Sequence, residues 1–283
     1  MKRVRSSPEL PSSEGSTPSA IDLWASTSPP DAWLAFQQLR SEWNGVIREK
    51  GGVWTTLSGV PAFPLTALRG VLGIQSSLSL DVELRSLSLI SAGTQRIRVC
   101  SLGGEKAIMS HTDILQYCAS NTSTQTPLAH ISFYLYLLDT FNGPTIAGTD
   151  LLLTYTRWTL VWVKKERTIA PTLETLQRAL LHDGLLVRVA QRLGDVAFGV
   201  PKCGRLVSAL QEGRNALKKK LKKAAPQGGI SRNTLLTGRS LSTSSASSIG
   251  LSTALLLRDA IGRGTAVCIE TATGAIVRGK ESG

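Results

Sequence analysis

The side chains with the clearest chemical potential form a lysine-rich segment between Lys202 and Lys223. These 22 residues contain eight Lys or Arg and one acid, Glu212, so they carry +7 of the chain's net charge of +12. Cations at this density attract polyanions, and we predict contact with nucleic acid, an acidic lipid surface or the acidic groove of a nuclear import receptor. The predicted binding residues are Arg214, Lys218, Lys219, Lys220, Lys222 and Lys223. A secondary basic patch comprises Lys2, Arg3 and Arg5.

Side chains that could support catalysis or hold a metal are few and poorly spaced. The three histidines, His111, His130 and His182, stand in no motif that would supply a nucleophile with a base and an orienting group. A zinc site would have to combine Cys100, His111, Cys118 and His130, whose spacing is wider than that of paired ligands in structural zinc sites. We therefore predict no catalytic residue, no metal, no cofactor and no small-molecule substrate, in a protein that is not an enzyme.

The basic segment lies in a predicted amphipathic helix over residues 205–224. Leucines recur at helical spacing and form one apolar stripe, and Pro226 with Gly228 and Gly229 ends the helix. Lysines in its last turn suit the negative end of the helix dipole. The stripe residues are Leu206, Leu210, either Gly213 or Arg214, Leu217 and Leu221.

The rest of the chain predicts an α+β fold with a strand-rich central domain and flanking helices. Hydrophobic residues make up 42% of the chain and charged residues 18%, which is typical of a globular protein. Alternating or apolar runs predict strands at 78–89, 96–102, 131–138 and 151–163, and a hairpin at 266–278. Helical spacing predicts helices at 31–48 with Asp31 as N-cap, at 110–119, after Pro171 with Thr172 as N-cap, and around 255–257.

These elements predict five segments. Residues 1–30 form a disordered Pro/Ser-rich tail, and 31–200 form the globular α+β core. The basic amphipathic helix occupies 201–226, a Gly/Ser-rich linker 227–249, and a C-terminal helix and hairpin 250–283.

Compartment signals are sparse. The basic start of the chain is not followed by an apolar run, so we predict no secretion signal and reduced thiols at the scattered cysteines. The most apolar stretch, 151–163, contains Arg157 and is shorter than the roughly 20 residues of a spanning helix. We predict no transmembrane segment, and any membrane contact is peripheral.

Three functional hypotheses suit the lysine-rich segment. Successive lysines resemble a nuclear import signal, which is the first hypothesis. The second is a sequence-independent contact with nucleic-acid phosphates, and the third is an amphipathic helix lying on an anionic membrane. The alternative is that the leucines pack on the core while the lysines only face water.

In size, charge and layout the whole chain resembles the matrix proteins of plant rhabdoviruses that mature in the nucleus. The features are a basic Pro/Ser-rich start, an α+β middle and a lysine-rich segment near the C-terminus. The resemblance implies a non-enzymatic viral structural and assembly protein, found in the host nucleus and the virion. It implies that the protein condenses nucleocapsid RNA, contacts an anionic membrane surface, binds an import receptor and self-associates.

Two other classes stay open on the same features. A viral movement or nuclear shuttle protein that binds single-stranded nucleic acid would also combine strands with basic segments. A coat protein would carry a basic arm facing RNA, although such an arm is usually terminal, whereas this segment lies inside a helical pattern.

Overall fold

Helices and short antiparallel strands alternate along the chain in the computed structural model, which describes residues 32–43, 46–48, 54–73, 97–121, 129–141, 143–190, 194–237 and 251–280. This mixture confirms the predicted α+β class. Several predictions lie outside the described residues: the tail 1–30 with Lys2, Arg3 and Arg5, the N-cap Asp31, the strand at 78–89, and the 238–249 part of the linker.

Helices lie within residues 31–200, where the sequence predicts the α+β core, and also after residue 200. They are α1 (Ala32–Ser41), α2 (Leu65–Leu72), α3 (His111–Asn121), α4 (Ala129–Thr140), α5 (Gly148–Glu166), α6 (Leu173–His182), α7 (Gly204–Ala224), α8 (Arg232–Thr237) and α9 (Thr253–Gly262). Hydroxyl side chains cap two of them. Thr172 accepts from the Thr175 amide at 3.3 Å, which confirms the predicted N-cap, and Ser252 accepts from the Leu255 amide at 3.1 Å.

Within the described residues, the strands form four small antiparallel sheets. They are β1 (Val46–Arg48), β2 (Trp54–Thr56), β3 (Ala62–Pro64), β4 (Ile97–Leu102), β5 (Glu105–Ser110), β6 (Thr145–Ile146), β7 (Leu186–Arg188), β8 (Val196–Phe198), β9 (Ile230–Ser231), β10 (Ala266–Thr271) and β11 (Gly274–Gly279). The sheets are β1-β2, β3-β5-β4, β6-β8-β7 and β10-β11-β9. The β10-β11 hairpin confirms the predicted terminal hairpin, and β4 confirms the strand predicted at 96–102.

Residues 131–138 and 151–163 are helical, so the prediction of strands there is wrong. Their aromatic and β-branched residues favour strands, but every third or fourth residue of α5 faces inward, and this burial decides the outcome. The inward positions of α5 are Leu151, Thr154, Trp158 and Trp162. Trp158 packs on Phe133 of α4 with the ring centroids 5.2 Å apart.

The first helix is shorter than the sequence predicts. It ends at Ser41 instead of Arg48, and Ile47 pairs with Thr55 in the β1-β2 hairpin. The hairpin satisfies the backbone groups of this segment in place of further helical turns. The helix predicted at 110–119 is confirmed as α3, and the short helix predicted around 255–257 extends over all of α9.

A single hydrophobic core runs through the described residues from Ala35 to Val277. It includes the inward side chains of α7 as well as those of α2, α4 and α9. The lysine-rich helix is therefore built into the same core as the elements before and after it, and its orientation is fixed by packing.

Helices α2 and α9 touch backbone to backbone where each carries a glycine. A Cβ on Gly70 would lie 1.9 Å from the carbonyl oxygen of Arg258, and one on Gly262 would lie 1.8 Å from the carbonyl oxygen of Thr66. Neither helix has room for a methyl group at this crossing. The two glycines thus set the distance between the helices.

We expect Gly70→Ala to lower the free energy of unfolding by about 2–3 kcal/mol, because the methyl group forces the two backbones apart. This loss exceeds the roughly 1 kcal/mol that alanine gains over glycine in helix propensity. Urea denaturation followed by circular dichroism measures the change. Gly204→Ala is the control, since nothing lies within 4 Å of a Cβ there. A Gly70→Ala protein as stable as the wild type would contradict this packing.

Candidate polyanion-binding surface

The inward face of α7 holds the helix against the core. Its buried residues recur at spacings of three and four and confirm the predicted apolar stripe: Leu206, Ala209, Leu210, Gly213, Leu217, Leu221 and Ala224. A Cβ on Gly213 would lie 2.6 Å from Leu256 Cδ1, so α9 packs directly on the middle of α7. At the start of the helix the Leu206 amide donates to the Leu57 carbonyl at 3.0 Å.

The outward face of α7 presents Lys218, Lys219, Lys222 and Lys223, which are all exposed and which we call the lysine face. An α-helix turns every 3.6 residues, so Lys222 stands one turn after Lys218 and Lys223 one turn after Lys219. The four side chains start within about 7.5 Å along the helix axis. In the part of the chain that the structure describes, no carboxylate forms a salt bridge with any of them. The lysine face is thus a dense, outward-facing cationic surface.

Lys220 stands at the margin of this surface. It is half-buried, and this burial lowers the pKa of its ammonium group. Of the five lysines between Lys218 and Lys223, Lys220 therefore contributes least to an exposed surface.

Arg214 does not belong to the lysine face, although the sequence prediction grouped it with the lysines. Its side chain is only 17% exposed. Its Nε donates to Asp259 at 2.7 Å and its terminal nitrogens donate to Glu105 at 3.1 and 2.9 Å. Two carboxylates already neutralise this guanidinium. Arg214 therefore links elements of the fold and is not available to bind a polyanion.

Arg214 is the centre of an ion cluster that consists of Glu105, Arg214, Asp259 and Arg263. Asp259 is completely buried and also accepts from Thr66, and Arg263 reaches both acids. Burial alone would raise the pKa of Glu105, but hydrogen bonds from Arg263 and Arg214 outweigh it and hold that pKa below its usual range. Burial alone would lower the pKa of Arg214, and the same two acids reverse the shift. The cluster joins β5, α7 and α9.

Two further cations lie at the end of the strand that packs beside α7, and the sequence prediction missed both. Strand β11 packs against α7, and a Cβ on Gly279 would lie 3.4 Å from Leu221 Cβ. Arg278 and Lys280, on either side of Gly279, are both exposed. More than fifty residues separate them from the lysines along the chain. The only sequence signal for this region is the alternating pattern that predicts the terminal hairpin. Arg278 Nε donates to the Gly228 carbonyl just beyond the end of α7, so this guanidinium lies near the C-terminal end of the helix.

The histidines and cysteines offer little for catalysis. Asp183 lies between two histidines, with Oδ2 at 3.2 Å from His130 Nε2 and Oδ1 at 3.3 Å from His182 Nδ1. All four cysteines are free thiols, and burial raises the pKa of Cys118 to about 11, which makes its thiol a poor nucleophile. Among the described residues, no group of three or more His, Cys, Asp or Glu could hold a metal ion.

None of the helices within the described ranges combines the length and the apolar character needed to cross a bilayer. Comparison of the sequence with models of protein families finds no match, and comparison with curated proteins finds none either. Function is therefore inferred from the surface chemistry of this chain.

Proposed function

We propose that the lysine face binds the phosphate backbone of nucleic acid without regard to sequence, in a non-enzymatic assembly protein. One observation carries the proposal: four exposed ammonium groups stand on one side of a rigid helix and form no salt bridge among the described residues. Each lysine that neutralises a phosphate releases a condensed counterion, which supplies affinity but no base preference.

The like charges on this helix lower its stability. Lys218 with Lys222 and Lys219 with Lys223 are like charges one turn apart, and each such pair destabilises a helix by about 0.2–0.5 kcal/mol. The helix dipole offsets part of this at the C-terminus. Four lysines without acidic partners among the described residues therefore lower the stability of the helix. A function in binding a polyanion accounts for their presence.

The aromatic side chains favour contact with phosphates over contact with bases. Proteins that hold single strands by stacking use exposed aromatic rings. Here the large rings of Phe36, Phe133, Trp158 and Phe198 lie in the core. Affinity therefore depends on charge and falls with added salt.

The burial of the leucine stripe weighs against the other two hypotheses for this helix. A helix lying on a membrane would insert Leu210, Leu217 and Leu221, but these side chains already pack in the core. A receptor that takes a basic segment as an extended peptide would have to unwind α7 and expose the same leucines. Nuclear import and the matrix-like role both stay predictions from the sequence, and the proposed phosphate contact is the part of that role that the lysine face supports.

The proposal is tested by fluorescence anisotropy with labelled single-stranded RNAs of about 20 nucleotides, one of uridine only and one of mixed sequence. We expect the two Kd values to agree within about threefold. The logarithm of the binding constant should fall linearly with the logarithm of salt concentration, with a slope near −3 or steeper, because single strands lose about 0.7 per phosphate contact.

Two results would overturn the proposal. One is the absence of binding at about 50 mM salt, where electrostatic contacts are strongest. The other is an affinity that ignores salt or differs strongly between the two RNAs, which would indicate base recognition.

A further inference from the structure

Helix α5 carries an apolar face that points away from the core. Four large hydrophobic residues on it are exposed: Leu152, Leu153, Leu160 and Val163. Leu160 is 72% exposed, although most apolar residues elsewhere in the described chain are buried. The opposite face of the same helix is buried through Leu151, Trp158 and Trp162. This 19-residue helix is thus apolar on two sides. Helix α4 and the core cover its inward side, and the outward side stays exposed.

The threonines on the outward face are prepared for burial. The Thr156 hydroxyl donates to the Leu152 carbonyl at 3.0 Å, and the Thr159 hydroxyl donates to the Thr156 carbonyl at 2.8 Å. These donors are satisfied inside the helix, so a partner could cover the threonines without leaving an unpaired hydroxyl donor. Their methyl groups extend the apolar surface between the leucines.

The outward residues follow the seven-residue spacing that packs one helix along another. Leu153 and Leu160 are seven apart, and Thr156 and Val163 each follow one of them by three residues. This alternation of three and four residues is the seam of a two-helix contact. The seam from Leu153 to Val163 covers about 15 Å of a helix about 28 Å long.

The charges beside the seam indicate an antiparallel partner. Asp150, Arg157 and Lys164 are also seven apart and border the seam on one side. The acid stands at the start of α5, while Lys164 and Lys165 stand in its last turn. A second α5 running in the opposite direction would place Asp150 of each copy beside Lys164 of the other, and the two Arg157 side chains would meet at the midpoint. Two attractive pairs then stand against one repulsive pair. A parallel copy would place the cationic ends together.

We infer that α5 is the interface through which two copies of this chain associate, with their α5 helices antiparallel. The outward leucines form the centre of this interface, and the Asp150–Lys164 pairs fix its direction. The surface lies on a different helix from the lysine face, so either proposal can fail without the other.

Sedimentation equilibrium of the full chain from about 1 to about 100 µM tests the interface, because a micromolar homodimer changes mass over this range. We expect Leu160→Glu to weaken the dimer by at least a hundredfold, since each copy would bury a carboxylate in the seam. Leu34→Glu is the matched control, because Leu34 is a 62% exposed leucine of α1, and it should leave the mass unchanged. A wild-type protein that stays monomeric throughout overturns the inference.

Charge exchange tests the direction of packing. Asp150→Lys or Lys164→Asp alone should weaken the dimer about tenfold, because each change creates two repulsive pairs by symmetry. The double variant Asp150→Lys/Lys164→Asp should recover most of the lost affinity. A double variant weaker than both single variants overturns the antiparallel arrangement. The wild type could instead stay monomeric at every concentration and bind anionic vesicles, and Leu160→Glu could abolish that binding. This result would overturn the dimer and assign the face to a membrane.

Discussion

Replacing all four residues of the lysine face with glutamine should weaken binding to single-stranded RNA by about 10² to 10³ at 0.1 M salt. Each phosphate contact on a single strand contributes about 0.7 to the slope of the logarithm of the binding constant against the logarithm of salt concentration. Four lost contacts should therefore reduce the slope by about 3. Because the counterion contribution grows as salt falls, the mutant and wild-type curves should converge towards 1 M salt.

This loss should occur without unfolding. The four substitutions remove two like-charged pairs on α7, so the melting temperature of the variant should equal or exceed that of the wild type. A matched pair of single changes gives the control. Lys222→Gln and Lys165→Gln each remove one exposed lysine from the last turn of a helix, but only Lys222 belongs to the lysine face. Equal effects of the two would mean that net charge, and not this surface, governs binding.

Asp259→Ala should lower the free energy of unfolding by about 3–5 kcal/mol, the largest stability effect that we expect in this protein. The carboxylate is completely buried and its Oδ2 lies 2.7 Å from Arg214 Nε. Removing it leaves the Arg214 guanidinium buried with only Glu105 to balance it, and breaking a buried ion pair on one side typically costs this much. For a chain of this size the melting temperature should fall by roughly 6–20 °C.

Two further variants separate the cluster from ordinary surface ion pairs. Glu174→Ala breaks a pair of the same kind with Arg178, but both side chains are about four-fifths exposed, so the loss should stay under about 0.5 kcal/mol. In Asp259→Ala/Arg214→Met, the uncompensated charge is gone, and the double variant should be more stable than Asp259→Ala alone. An Asp259→Ala protein that melts within 2 °C of the wild type would refute the role of the cluster, given the roughly 2–4 °C expected per kcal/mol.

The helix that carries the lysine face was predictable because its signals agree with one another. Leucines at helical spacing, lysines at the C-terminal end and a Pro-Gly-Gly stop all indicate the same element, and the structure places it at Gly204–Ala224. Helix α5 was not predictable in this way. Its residues satisfy a period of two and a period of 3.6 alike. Packing of Trp158 against Phe133 of α4, with Trp162 beside Trp158, selects the second.

The sequence did not predict which residues of the basic segment are exposed and which are buried, and the reason is different. Arg214 looks like its neighbouring lysines in any local pattern. Its partners, Glu105 and Asp259, lie 109 and 45 residues away along the chain, so only the tertiary fold identifies them. The same limit hid the contact of Arg278 with the Gly228 carbonyl after α7, which forms because β11 packs beside that helix.

The burial of the leucine stripe also bears on how long the chain survives near proteases. Trypsin-like enzymes cut after lysine, and a segment with five lysines in six residues would ordinarily be their first target. Such enzymes require an opened backbone, and α7 can open here only if Leu217 and Leu221 leave the core. The lysine-rich stretch of the sequence is thereby tied to buried side chains of the core. Its lifetime follows the free energy of local opening, not the number of exposed lysines.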